Sequence, residues 1–171
     1  FSVFCTKSLM SVYWGVKIIC TSYFFAAASA AFANFKAGHI VQGGSTITQQ
    51  LAKITLLHPK KTIKRKVQEA LLSLELESKY TKEQILSIYL NRVYLGSGIY
   101  GIDAAAKYYF GKNVKDLSLY ECAIIAGLPK APSRFSPISN PELSGQRAYQ
   151  VLISMFKNGY ISKTEFYEAE K

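Results

Sequence analysis

At four points along this chain a helix start is marked by a hydroxyl residue three positions ahead of a glutamine or glutamate: Thr46 with Gln49, Thr81 with Gln84, Ser118 with Glu121, and Ser162 with Glu165. Such a pair satisfies two of the backbone N–H groups that the first turn of a helix leaves without an intrahelical partner, so each pair marks a helix start. The stops are as regular. Glycines follow the apolar runs at Gly38, Gly111, Gly127 and Gly159, where a residue without Cβ can turn left-handed and close a helix. Between these marks the pattern predicts helices over Ala26–Ala37, from Thr46 to about Leu57 ahead of Pro59, and through "TIKRKVQEALLSLELESKY". Further helices are predicted over "KEQILSIYLN" and "IDAAAKYYF", from Ser118 to Gly127, from about Pro141 to Asn158, and from Ser162 onward. The glycines of "LGSGIYG" read as breakers, and "LPKAPSRFSPISNP" as a proline-rich loop. No alternating strand pattern and no internal repeat is visible. The expectation is an all-α globule.

The 171 residues suffice for one domain with a real core, and 49% of them are apolar, which excludes a disordered chain. Charge is unevenly placed. Residues 1–68 hold nine Lys or Arg and no carboxylate; Glu69 is the first acid, and from there twelve basic side chains face eleven acidic ones. A basic first third implies an anionic partner, whether lipid headgroups, a phosphorylated ligand or nucleic acid. Aromatic interleaving of the basic run is missing, so nucleic acid is not expected. Cys5, Cys20 and Cys122 have neither metal-ligand spacing nor an even count for a disulfide framework. His39 and His58 stand alone near loops. Ile18 to Phe35 runs uncharged for eighteen residues, a marginal length for a membrane span; its Ala-rich second half favours a buried or interfacial helix. No initiator Met opens the chain, which reads as a fragment.

Two segments carry candidate chemistry. In "VQGGSTITQQLAK" paired glycines let backbone approach a ligand, and a helix start offers N–H groups and a positive dipole end. Thr46, Thr48, Gln49 and Gln50 could add neutral hydrogen bonds to sugar hydroxyls, amides or phosphate oxygens. Lys53, two turns after Thr46, falls on roughly the same face. The plain alternative is that Thr46 and Gln49 cap a helix and the glycines make a turn. In "KKTIKRKVQE" five of the seven residues from Lys60 to Lys66 are basic, and Arg65 stands four before Glu69. Arg65 with Lys53 could clamp a diphosphate while Glu69 does acid–base or positioning work; the alternative is a solvated face with a weak surface pair. Ile63, Val67, Ala70 and Leu74 recur at helical spacing there. Ile85, Leu86, Ile88 and Tyr89 read as core, and Asn91 as a C-terminal cap.

"GGSTITQQLAK", "RKVQE", "KEQILSIYLN" and "VYLGSGIYG", in that order, closely resemble the peptidoglycan glycosyltransferases: family 51 of the glycosyltransferases, the transglycosylase module of class A penicillin-binding proteins. The resemblance covers about residues 26–171, read as a truncated transglycosylase domain, and leaves 1–25 as an unassigned apolar segment. It implies a lysozyme-like α-helical fold, incomplete at its N-terminus, with a smaller lobe dipping into the membrane. It also implies polymerisation of lipid II into β-1,4-linked glycan with release of undecaprenyl pyrophosphate at the outer face of the cytoplasmic membrane, a nascent glycan strand as second substrate, and a transpeptidase domain in bifunctional members. Carried over by position, Gly44, Ser45, Thr46, Gln49, Gln50 and Lys53 contact the donor, Arg65 neutralises its pyrophosphate, and Glu69 is a functional carboxylate. No cofactor is required, although some members use a divalent cation, Mg or Mn.

Three departures stand out. The family has an asparagine where this chain has Ile54, and a second arginine where it has Ala148 after Arg147. The first motif, Glu-Asp-x-x-Phe-x-x-His-x-Gly, whose glutamate is the family's general base, should fall at Val12, Tyr13, Val16, Ile19 and Thr21, and none matches. This copy is therefore expected to be a degraded or partial form. The competing readings are a non-catalytic fragment binding membrane or lipid pyrophosphate, and a lysozyme-like hydrolase, disfavoured for want of a placed carboxylate pair.

Overall fold

A computed structural model describes residues 46–55 and 62–170. The expected helix over 26–37, the segment 1–25, Gly44, Ser45, both histidines, Cys5 and Cys20 lie outside the described residues. Those described carry seven α-helices and one short hairpin, in two compact units that divide between Val93 and Tyr94.

The unit before that division holds α1 (Ile47–Thr55), α2 (Ile63–Lys79) and α3 (Lys82–Arg92). Thr46 starts α1 by accepting the Gln49 N–H at 3.2 Å. Thr62 does the same for α2 through the Arg65 N–H. The box ahead of α3 is complete: Thr81 Oγ1 accepts from the Gln84 N–H, and the Gln84 side chain accepts from the Thr81 N–H at 2.9 Å. Asn91 donates from Nδ2 to the Ser87 carbonyl at 2.8 Å, closing α3 as expected. α1 packs against both α2 and α3. Leu51, Ala52, Ile85, Leu86, Tyr89 and Leu90 form the core, with Ile88 half-buried.

α2 departs from its expected orientation. Its helical spacing is real, but the residues that carry it face outward: Ile63 is 87% exposed and Leu74 64%, with Val67, Ala70 and Leu71 exposed beside them. Glu69 and Ser73 are buried instead. Periodicity identifies a helix, but it does not say which stripe turns inward when a polar stripe finds partners inside.

The unit from Tyr94 begins with an antiparallel hairpin, β1 (Tyr94–Gly96) and β2 (Ile99–Tyr100), pairing Tyr94 with Tyr100. The stretch read only as helix-breaking therefore forms strands. Ser97 and Gly98 both take positive φ, 51° and 76°, the geometry that lets two residues join twisted strands. α4 (Ile102–Phe110) closes on a left-handed Gly111, and α5 (Leu119–Gly127) opens on the complete Ser118–Glu121 box. α6 (Pro141–Lys157) and α7 (Lys163–Glu170) follow the proline-rich loop. Every residue from Cys122 to Leu128 is buried, and α6 covers α5 with Ala148, Val151, Leu152 and Met155. The all-α fold expected from sequence stands, with this hairpin as its one exception among the described residues.

Candidate functional site

α1 presents its polar residues by simple helix geometry. Thr46, Gln50 and Lys53 are spaced four and then three apart, so they line one face from the N-terminal cap to the last turn. Thr48 is buried on the other side with Leu51 and Ala52, which anchors the helix and fixes which face remains open. Thr46, Gln49 and Gln50 are half-buried; Lys53 and Ile54 are exposed. Gln50 is oriented from outside its own helix: the hydroxyl of Tyr89, on α3, donates to Gln50 Oε1 at 3.1 Å. Tyr89 is almost wholly buried, so it holds its hydroxyl in a fixed place.

α2 supplies the charged partner. Arg65 Nε lies 3.0 Å from Glu69 Oε1, and Lys66 Nζ 3.1 Å from Glu69 Oε2. The expectation of a surface pair fails here. Glu69 is 2% exposed and the Arg65 side chain 16%, whereas Lys66 and Lys64 reach solvent. A buried carboxylate is tolerated because two cations meet it from one helical turn away. Its oxygens are thereby committed to holding Arg65 and Lys66 in place.

Of the positions singled out in the sequence, the described residues bring Thr46, Gln50 and Lys53 onto one helix face and Arg65 and Glu69 together on the neighbouring helix. Tyr89 was read as core alone, and its link to Gln50 was missed; the two are 39 residues apart in sequence, beyond any local pattern. Glu69 is engaged by two cations, and among the described residues no three of His, Cys, Asp or Glu cluster to hold a metal.

In the unit from Tyr94, Arg147 lays its stem across Gly127, where an added Cβ would stand 2.8 Å from Arg147 Cγ, and its Nη1 lies 3.2 Å from Gln150 Oε1. Ala148, standing where the family has a second arginine, is fully buried.

The family model described as Transglycosylase matches residues 23–156. Penicillin-binding protein 1A of Aquifex aeolicus is 51% identical over 140 residues, which is 82% of this chain and 19% of that protein. Penicillin-binding protein 1A of Pseudomonas aeruginosa is 49% identical over the same share of this chain and 17% of its own length. A crystal structure of Penicillin-Binding Protein 1A from Haemophilus influenzae is 35% identical, covers 72% of this chain and 16% of its own, and overlays with a TM-score of 0.48. The chain spans about a fifth of the length of the curated relatives it matches.

Proposed function

The chain belongs to the transglycosylase family, and from that premise we propose that it is the donor-binding part of a peptidoglycan glycosyltransferase acting on lipid II. In that reaction the 4-hydroxyl of an acceptor sugar attacks the anomeric carbon of the donor with inversion. A β-1,4 bond forms, the C1–O bond to the pyrophosphate breaks, a base takes the hydroxyl proton, and undecaprenyl pyrophosphate leaves with the bonding pair. Negative charge grows on the leaving phosphate, so fixed cations lower the barrier.

The observation that carries this reading is the pairing of two adjacent helices. α1 offers Thr46, Gln50 and Lys53 along one face, and α2 offers Arg65 held in place by buried Glu69. Thr46, Gln49 and Gln50 hydrogen-bond the donor headgroup, with Gly44 and Ser45 as the approach to it, while Lys53 and Arg65 receive the pyrophosphate. Glu69 positions the cations. It is a poor candidate for proton abstraction, since both oxygens lie against Arg65 or Lys66 and almost none of it meets solvent. No carboxylate precedes it in this sequence. The proposed reading therefore assigns no general base to these residues, and general-base assistance is worth roughly 10²–10⁴-fold.

Labelled lipid II incubated with the chain in detergent tests this. Saturable binding with little polymer is expected; processive glycan synthesis would show a base within these residues, and absence of binding would end the donor-site reading.

A lipid surface is supported by a separate observation. Ile63, Val67, Leu71 and Leu74 form an exposed apolar stripe on α2 beside exposed Lys64 and Lys66. A cationic amphipathic face of this kind suits an anionic membrane interface. Among the described residues no helix is long and apolar enough to cross a membrane. The reading therefore places the chain against the outer face of the cytoplasmic membrane, with a growing glycan strand as second substrate and a transpeptidase domain as neighbour in a longer protein.

A further inference from the structure

The two faces of α2 differ in kind. Glu69 and Ser73 are buried, with Arg65 paired to Glu69 on that side, while Ile63, Val67, Leu71 and Leu74 recur at steps of four, four and three and stand in solvent. Charge is unevenly placed along the helix. Lys64 and Lys66 border the apolar stripe on its two sides in the first turn, and both reach solvent. Past Glu69 come Glu75, Glu77 and Lys79. Lys79 Nζ is taken up by Glu75 at 2.6 Å, which leaves the exposed Glu77 as the uncompensated charge of that end.

An apolar stripe bordered by lysines is complementary to an anionic bilayer: the apolar side chains enter the acyl boundary and the ammonium groups reach back to the phosphates. With cations at the start of α2 and a carboxylate near its end, such a surface attracts one end and repels the other. The positive end of the helix dipole adds in the same sense.

We propose that α2 docks on an anionic phospholipid surface at a tilt, with its Ile63 end the deeper, and that this sets the height at which Arg65 meets a lipid-borne diphosphate. The docking deepens the lipid-surface reading above; only its consequence for Arg65 rests on the donor-site reading. Ile63 leads the stripe and is its most exposed member. Leu74 lies roughly 16 Å further along the axis, so a modest tilt puts the two at different depths. Arg65 is near the deep end but on the opposite face, roughly 10 Å from the side that enters the acyl boundary. That is the level of the lipid phosphates. A diphosphate carried on a lipid then meets Arg65 without being drawn out of its leaflet.

The test places a reporter along the stripe of the full chain. Trp14→Phe removes the native tryptophan, and Ile63→Trp, Val67→Trp, Leu71→Trp and Leu74→Trp are then made singly, all at positions that stand in solvent. Each is bound to vesicles of phosphatidylglycerol and phosphatidylcholine brominated either near the headgroup or deep in the acyl chain. Quenching by the deep bromines should be strongest at position 63 and fall through 67 and 71 to 74. Lys64→Ala should weaken partitioning onto these vesicles about fivefold, the effect of one lysine near an anionic surface, and leave partitioning onto pure phosphatidylcholine unchanged. Glu77→Lys should strengthen it and level the depth profile. Equal or reversed depths with vesicle binding intact would overturn the tilt and keep the lipid-surface reading; no binding to vesicles would overturn both. A dimer that Ile63→Ser abolishes, in a chain that ignores vesicles, would make the stripe a contact between copies and overturn the proposal. Lipid II binding in detergent reports the donor site separately. If it is absent while the depth profile is graded, the docking stands and the role given to Arg65 fails.

Discussion

Glu69 Oε1 lies 3.0 Å from Arg65 Nε, one helical turn away, in a place where the carboxylate side chain is only 3% exposed. The pair links local sequence to function directly. Spacing of four puts both groups on one face of α2, and burial strengthens their attraction; the proposed function uses the arginine fixed there to meet an anionic donor.

Replacing Glu69 should therefore affect folding as well as binding. Glu69→Gln leaves Arg65 half-buried without its counter-charge, at an expected cost of about 1–3 kcal/mol, discounted from the value for fully buried pairs because Arg65 and Lys66 both reach water. Urea denaturation of the two proteins measures it; equal midpoints would show that the pair contributes nothing.

The exposed stripe of α2 predicts the reverse pattern. Leu74→Ser or Val67→Ser should change stability by under about 0.5 kcal/mol, since those side chains already stand in solvent. The same substitutions should reduce cosedimentation with anionic liposomes. Leu90→Ser, in the core of α3, should cost several-fold more stability and serves as the contrast.

Gly96 cannot take a side chain. Its φ is 98°, and an added Cβ would stand 2.8 Å from the hydroxyl of Tyr109, which donates to the Leu95 carbonyl. Gly96→Ala should lose about 1–3 kcal/mol by strain and by disturbing that bond, read as a lowered melting midpoint.

Two titrating groups give predictions with definite sign. Burial pushes the Glu121 carboxyl up, but Lys112 Nζ at 2.8 and 3.0 Å and the Ser118 N–H at 2.7 Å outweigh it and hold it below its ordinary 4.5. A depressed folded value means that its contribution is complete above 4.5 and is lost as pH falls through the folded value. The stability gap between the parent and Glu121→Gln should thus close on acidification below that point. Burial, and secondarily the charge of Glu121, pushes the Cys122 thiol up to about 12. Site-resolved alkylation at pH 8 should leave Cys122 untouched until the chain unfolds.

What the sequence revealed and what it concealed follow from the range of the forces involved. The boxes at Thr81 and Ser118 and the glycine stop at Gly111 act within a few residues, so the helices of the described chain start and end close to where they are read. The burial of Glu69 was not legible, because Lys64 and Lys66 around it look like a solvated face and only the packing of α1 on α2 turns one stripe inward. The hairpin at Tyr94–Tyr100 was hidden by strands too short to alternate. In the site, the capping role of Thr46 was local and visible; the grip of Tyr89 on Gln50 crosses between helices and was not.

The most direct test is the affinity of the chain for lipid II in detergent, compared among the parent, Lys53→Ala, Arg65→Ala and Lys64→Ala. Charge-assisted contacts to a pyrophosphate predict losses of about tenfold or more for Lys53→Ala and Arg65→Ala, diminishing at high salt, with exposed Lys64→Ala close to the parent. Equal affinity across all four would contradict a diphosphate site built by α1 and α2.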